Sequence, residues 1–375
     1  MMLTLQAFIA AHYTTLVVST GVGLLGAISG LVGCFALLRK QSLLGDTLSH
    51  AALPGIALAF LITKSKSMLF LLIGAGLAGL IAALSLIAIR KQHKLKEDAA
   101  QGIVLSVFFG FGMLLLNVIQ NSPIENKTGL TDFLFGNAAS MLIEDIYLIF
   151  LVSFILLSIV LLCYKEFKAL CFDAEFFQSL GFSVTKLSIL MNLCLVLAIV
   201  IGLQSVGVVL MSALIVAPAA GARQWTERLS SMALLALFFG ASSGFLGVFT
   251  SSLAPRLSTG PLIVVFLSLF VLISLFFATK RGLVSTYLSH LQNKKKISDH
   301  RILANMLLFS ETQKDPFFAH NLASLELIDQ KPNQKQLLKL KNKGLLQNPT
   351  KETWALTQAG LKQAKTFLSP KENYR

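Results

Sequence analysis

Two ionisable side chains stand alone in a long apolar stretch. Asp46 and His50 are the only such residues in SLLGDTLSHAALPGIALAF, residues 42–60. Their spacing of four residues places both on one face of a helix. A carboxylate and an imidazole together are suited to manganese, zinc or iron. Charged groups in a membrane are costly and usually face a pathway. The pair therefore predicts a metal contact in a pore, with a helix cap and a hydrogen bond to a neighbouring helix as the alternative.

A second motif places phenylalanines in a polar loop, FDAEFFQSLGFSVTK, residues 172–186. The loop is long enough for two helical turns, and Gly181 supplies a stop. Its apolar residues are Phe172, Phe176, Leu180 and Phe182. A short helix of this kind either docks on another protein or lies on the membrane surface.

The elements that position these motifs are predicted to be membrane helices. The chain of 375 residues is 55% hydrophobic and only 13% charged, whereas a soluble domain has roughly 25% charged residues. A span needs about 20 apolar residues, and nine stretches qualify. They lie near 15–38, 43–63, 68–90, 100–120, 143–163, 187–203, 206–222, 229–252 and 261–279. The sixth and seventh adjoin at Gln204 and Ser205, so the prediction is an all-α polytopic membrane protein with eight or nine transmembrane helices.

The orientation follows from lysine and arginine, which mark cytoplasmic loops. Every second connection is basic, and this places the N-terminus outside and the chain after Lys280 and Arg281 in the cytoplasm. Lys64 and Lys66 argue against this orientation, because they fall in a loop assigned to the outside.

The end of the chain has the composition of a soluble domain. We predict a membrane domain over residues 1–285, a basic linker over 286–297 next to anionic lipid, and a cytoplasmic α+β domain over 298–375. The element order of the last part is that of a winged helix. Its predicted elements are helices at 302–309, 317–325 and 332–343, a hairpin about Asn348-Pro349, and a helix at 358–368.

The sequence also lacks features of an energy-converting enzyme. It contains no GxxxxGK[ST] phosphate-binding loop. Carboxylates are scarce in the middle of the spans, whereas a proton-coupled carrier usually places several there. We therefore expect a transport subunit without enzymatic activity or a permanently bound cofactor, driven by ATP hydrolysis on another subunit.

Taken together, the motifs resemble the ABC-3 family of metal-transporter permeases of the bacterial inner membrane. The matching segments occur in the family's order and cover about residues 10–280. They are SLLGDTLSHAALPGIALAF, KEDAAQGIVLSVFFGFGMLLL, LTDFLFGNAAS, FDAEFFQSLGFSV, GLQSVGVVLMSALIVAPAAGAR and STGPLIVVFLSLFVLISLFF. The resemblance implies import of manganese, zinc or iron by alternating access, a second permease copy or paralogue, two cytoplasmic ATPase subunits and an extracytoplasmic solute-binding protein.

The resemblance also assigns residues. Asp46 and His50 match the family's GDxLSHAxLPG segment, on the metal path. FDAEFFQSLG stands where the family has the coupling helix that fits a groove in the ATPase. The residues assigned to this coupling helix are Phe172, Asp173, Ala174, Glu175, Phe176, Leu180 and Gly181.

The tail departs from the family pattern, since LLKLKNKGLLQNPTKETWALTQAGLKQA resembles the wing region of DtxR-like repressors. That resemblance implies DNA contacts from the helix at 334–343 through Lys335, Lys339, Lys341 and Lys343. Contact with lipid or with the ATPase is the favoured role for the tail. Two rival functions for the whole chain are a secondary metal carrier and a membrane-tethered, metal-responsive DNA-binding regulator.

Overall fold

The computed structural model divides into two compact units between Leu283 and Val284. The structure describes residues 13–41, 43–64, 68–92, 95–122, 136, 141, 143–254, 257–312, 315–321, 334–350 and 353–368. Most of the predicted segment LTDFLFGNAAS, residues 130–140, lies outside the described residues, as do Lys66 and Pro332.

The first unit is helical over its described residues. Its helices are α1 (Tyr13–Leu38), α2 (Leu44–Thr63), α3 (Met68–Gln92), α4 (Glu97–Asn121), α5 (Ile143–Leu162), α6 (Tyr164–Phe172), α7 (Ala174–Ser179), α8 (Val184–Val206), α9 (Val208–Trp225), α10 (Leu229–Leu253) and α11 (Thr259–Phe277). Eight of these described helices are long and apolar enough to cross a membrane, namely α1 to α5, α8, α10 and α11. The prediction of a polytopic helical membrane protein is confirmed at this level.

Helix α1 lies at the centre of this unit and packs against α10, α9, α5 and α8. Glycines allow its closest approach to α10, because a methyl group on Gly26 or Gly240 would collide with the backbone of the other residue. Small residues at such crossings let membrane helices gain van der Waals contact. In contrast, α5 and α11 expose most of their large apolar side chains, as expected for helices that face lipid.

Helices α8 and α9 are separated by one residue, Gly207. Its φ of 84° lies in a region that side chains other than glycine rarely adopt. The chain folds back here, because the side chain of Met211 lies against Gly202. In a straight helix these two residues would be about 13.5 Å apart. The boundary predicted at 204–205 therefore lies at Gly207, where the chain makes a tight turn, while residues 204 and 205 still belong to α8. The described side chains of α9 are all buried or half-buried.

The second unit combines helices with a small sheet. It contains α12 (Leu283–Thr312, which begins at the boundary), β1 (His320–Asn321), α13 (Gln334–Asn342), β2 (Leu346–Thr350), β3 (Thr353–Leu356) and α14 (Gln358–Leu368). The sheet is antiparallel with strand order β1–β3–β2. Its core joins Leu303 and Met306 of α12 to Leu337 and Leu340 of α13 and to Trp354 of β3.

Three sequence predictions for this unit need adjustment. Residues 317–321 do not begin a helix, because the Asp315 carboxylate accepts a hydrogen bond from the Phe317 amide and the chain then enters β1. Strand β2 continues through Asn348 and Pro349 with an irregular register, so the hairpin turn does not lie at these two residues. The predicted linker at 286–297 lies within the continuous helix α12.

Candidate functional site

Asp46 and His50 face each other near the start of α2. The helix begins at Leu44, which places Asp46 in its first turn. The His50 Nε2 and Asp46 Oδ1 atoms are 3.4 Å apart. The Asp46 side chain is 40% exposed and that of His50 is 18% exposed, while the residues between them, Thr47, Leu48 and Ser49, are buried. The pair is thus an accessible polar group on the mostly buried first half of the helix.

Helix α4 holds the imidazole from the other side. The Phe109 ring meets His50 edge to face, with ring centroids 4.8 Å apart. Further along, Gly112 lies against Pro54, so α2 and α4 stay close over this stretch. The His50 Nδ1 atom is buried and has no hydrogen-bond partner among the described residues. Sequence reasoning missed Phe109, because nothing in its spacing distinguishes it among 28 phenylalanines.

The pair supplies only part of a metal coordination sphere. Zinc usually takes four ligands, and harder divalent ions take about six. Within the described residues, no group of three His, Cys, Asp or Glu side chains could hold a metal. The nearby hydroxyls of Thr47 and Ser49 donate to the Leu43 and Gly45 carbonyls of their own helix. Among the described residues, the pair alone therefore has too few ligands for a complete coordination sphere.

The predicted coupling segment forms an exposed apolar patch, which we define as Phe172, Phe176 and Leu180. Asp173 caps α7, since its Oδ1 accepts a hydrogen bond from the Phe176 amide at 2.9 Å. The three patch side chains are exposed. The neighbouring Phe177 is buried and stacks on Phe182, with centroids 4.6 Å apart. This stacking fixes which side of α7 points outward.

The patch stands on a well-anchored base. In α6, Phe167 and Leu170 are buried, and the Phe167 ring lies 5.5 Å from that of Phe35 in α1. The Cys171 thiol donates a weak hydrogen bond to the Phe35 carbonyl. Movement of the patch could therefore be passed to α1 through the contacts of Phe167 and Cys171 with Phe35.

The tail lysines are not all available to an external anion. The Lys339 and Lys343 ammonium groups lie 3.5 and 3.3 Å from Asp299 Oδ2. They join the end of α13 to α12. Lys335 and Lys341 are exposed on the same helix. Two of the four predicted phosphate contacts therefore already balance a mostly buried carboxylate.

The tail histidines serve the packing of the second unit. His320 is buried and its Nε2 lies 3.0 Å from the Ser310 hydroxyl. Burial lowers the pKa of His320, against a smaller opposing effect of the Met306 carbonyl. His300 stacks on Phe367 with centroids 5.4 Å apart. Both rings are thus packed within the fold.

Comparison with known proteins decides the family. The family model described as the ABC 3 transport family matches residues 11–278. The chain belongs to the ABC 3 transport family. Members of this ABC 3 family are membrane subunits of ABC transporters, so the chain is a transport subunit and not an enzyme.

Individual relatives of the ABC 3 chain agree with this assignment. It is 43% identical over 304 residues to the manganese transport system membrane protein MntC of Bacillus subtilis, covering 81% of this chain and 69% of MntC. It is 46% identical over 274 residues to the zinc transport system membrane protein TroC of Treponema pallidum, and the alignment covers 73% of this chain and 92% of TroC. A solved structure, PsaBC from Streptococcus pneumoniae in complex with Fab, matches with a TM-score of 0.65 and 31% sequence identity. The match covers 77% of this chain and 99% of the chain in that structure.

Proposed function

We propose that this ABC 3 chain is the permease subunit of an ATP-driven importer for a divalent transition-metal ion, manganese or zinc. The observation that carries the proposal is the Asp46–His50 pair, an accessible carboxylate and imidazole 3.4 Å apart on a largely buried helix. The similarity to a manganese and a zinc transport protein supports this cargo. Iron has chemically similar ligand preferences and is the third candidate.

The pair is proposed to contact the ion near the cytoplasmic end of its path, because Asp46 lies in the first turn of α2, next to a loop predicted to be cytoplasmic. One chain supplies one carboxylate and one imidazole, which is too few ligands. A second permease copy would raise the set to two of each, enough for a four-coordinate ion. The ion would then pass inward by alternating access, with a solute-binding protein delivering it from outside.

The energy is proposed to come from ATP bound and hydrolysed on a cytoplasmic ATPase subunit. The patch of Phe172, Phe176 and Leu180 is the proposed docking surface, with Asp173, Ala174, Glu175 and Gly181 forming the rest of the coupling helix. Its buried base against Phe35 gives a mechanical route from the ATPase to α1. This arrangement fits a multi-pass protein of the bacterial inner membrane.

The second unit is proposed to be a cytoplasmic winged-helix module with a regulatory or partner-binding role. The strand order β1–β3–β2 and the hairpin after α13 support this topology. The pairing of Lys339 and Lys343 with Asp299 weakens the case for DNA binding, because the carboxylate already offsets part of the positive charge that a phosphate would meet. The secondary carrier and the DNA-binding regulator remain the rival functions.

The test is uptake of radiolabelled manganese and zinc into cells that express this chain with its ATPase and solute-binding protein. The matched control carries a hydrolysis-dead ATPase. Uptake that disappears with the dead ATPase supports the importer, and competition by unlabelled manganese, zinc or iron then ranks the ions. Uptake that is unchanged without hydrolysis but collapses with the proton gradient would establish a secondary carrier instead.

A further inference from the structure

The first turns of α12 carry an apolar stripe that nothing in the described chain covers. Val284, Tyr287, Leu288 and Leu291 repeat at helical spacing, and their exposed fractions lie between 39% and 66%. Further along the same helix, Ile302, Leu303 and Met306 are buried in the core of the second unit. Among the side chains that the structure describes before Ser298, the uncovered stripe occupies residues 283–291, which we call the basal segment.

The other side of the basal segment is polar, and His290 at the edge of this side is its one ionisable residue. Thr286 and Ser289 point away from the stripe by helical geometry and are exposed. The segment is therefore amphipathic, and a single contact plane would bury all of its large apolar side chains.

The charges around the basal segment have one sign. Lys280 and Arg281 precede it, and the run 294–296 of three lysines follows it. No aspartate or glutamate occurs from residue 280 to residue 298. Positive flanks around an apolar stripe are typical of helices that lie in the headgroup region of anionic membranes. A partner that fits this surface must have an apolar layer that the stripe can enter and negative charges for the flanking lysines and arginine.

We propose that the basal segment binds the cytoplasmic surface of the membrane and requires anionic lipid for it. Only residues 278–282 separate the basal segment from α11, an apolar span. The basal segment therefore begins close to the membrane surface. The stripe enters the acyl boundary while the flanking lysines and arginine meet lipid phosphates. The proposal concerns neither the cargo nor the energy source, so it stands independently of the importer assignment.

The test uses the full chain in nanodiscs of phosphatidylcholine alone or with 30% phosphatidylglycerol, both containing brominated acyl chains. A tryptophan placed in the stripe by Tyr287→Trp reports contact with the acyl region. Ser289→Trp, on the opposite face of the same helical stretch, is the matched control. The signal of Trp225 and Trp354 in the unsubstituted chain is subtracted.

The expected result is bromine quenching at position 287 that exceeds quenching at 289 by at least about threefold in the anionic nanodiscs. The difference should shrink without phosphatidylglycerol, and also in the combined variant Lys294→Gln, Lys295→Gln, Lys296→Gln. Equal quenching at the two positions would overturn the proposal. So would an unquenched tryptophan at 287 whose emission changes only when the ATPase or a second copy is added, because the partner would then be a protein.

Discussion

At the scale of single residues, the Asp46–His50 pair combines a solvent-accessible acceptor with an imidazole held by its neighbours. Phe109 fixes the ring plane, and Nε2 faces the carboxylate. The buried Nδ1 atom without a partner among the described residues is a cost, since unsatisfied buried polar atoms are uncommon. A ligand that engages this imidazole would recover part of that cost. The pair thus places one oxygen and one nitrogen ligand type side by side, which is the basis of its proposed role.

Substitutions that keep shape but remove ligand character should stop transport. We expect Asp46→Asn and His50→Gln each to lower metal uptake at least about tenfold, because an amide replaces a carboxylate or an imidazole. The measurement is initial uptake rate at matched protein levels in the membrane. Asp98→Asn is the control, as this carboxylate is exposed at the start of α4, and uptake should persist. Normal uptake by both site variants would remove the pair from the pathway.

The sequence predicted this pair because ionisable residues are rare in spans and i, i+4 spacing is a local property. It could not predict Phe109, since that contact depends on the register between α2 and α4. The register is set where Gly112 admits Pro54, a tertiary contact. In the same way, the lysines of α13 were predicted as basic, but their partner Asp299 lies 40 and 44 residues away in the sequence.

At the scale of elements, α6 and α7 form an anchored base with an exposed tip. α6 buries Phe167 and Leu170, and the break at Asp173 follows its exposed last residue, Phe172. α7 then adds Phe176 to the exposed patch. The stacked rings of Phe177 and Phe182 oppose rotation of α7. A tip held in this way can pass the movement of a bound partner on to α6, because its own side chains do not have to rearrange first.

A charge within this patch should release the ATPase. We expect Phe176→Asp to abolish co-purification of the ATPase from detergent, because desolvating a carboxylate in an apolar groove is costly. Gln178→Asp adds the same charge to an exposed site on the same short helix, and it should retain the ATPase. Equal retention by both variants would place the docking site elsewhere.

The crossing of α1 and α10 depends on glycine. We expect Gly26→Ala to destabilise the folded chain by roughly 1–3 kcal/mol, because the methyl group would press into the backbone at Gly240. Gly76→Ala in α3 is the matched control, since a methyl group there meets nothing within 4 Å. Thermal unfolding in detergent measures the difference. A melting temperature unchanged by both substitutions would show that the crossing can separate without loss.

The span boundaries could be predicted from the sequence to within a few residues, because bilayer thickness imposes the length of each apolar run. The fine structure of the tail could not. At 317–321 a local Asx turn and pairing of β1 with β3 prevail over helical spacing of apolar residues. At Asn348-Pro349 the local turn signal produces an irregularity in β2 and not the hairpin turn, because Gln347 and Thr350 on either side both pair with β3.

At the scale of the whole molecule, the family match and the second unit occupy different parts of the chain. The family match ends at residue 278, and the PsaBC chain is matched over 99% of its length by 77% of this chain. The second unit has its own core of α12, α13 and β3 side chains. The first unit therefore carries the elements shared with related permeases.

A chain that ends at Ser298 should still import metal. It keeps the basal segment and its basic flanks but loses the core of the second unit. We expect its uptake to stay within about twofold of the full chain under constant conditions, with regulation by metal supply as the property that changes. Lost uptake despite normal assembly with the ATPase would make the second unit part of the transport cycle.

The single-residue turn at Gly207 also constrains how the protein is made. No hydrophilic loop separates α8 from α9, so the ribosome delivers two apolar segments with no polar stretch to signal that the first is complete. The end of α8 and the start of α9 pack against each other at Gly202 and Met211, so this contact forms only when both helices have been made. We therefore expect the two helices to enter the membrane together, and a bulky residue at position 207 to lower the amount of full-length chain in the membrane through degradation during synthesis, which an immunoblot would measure.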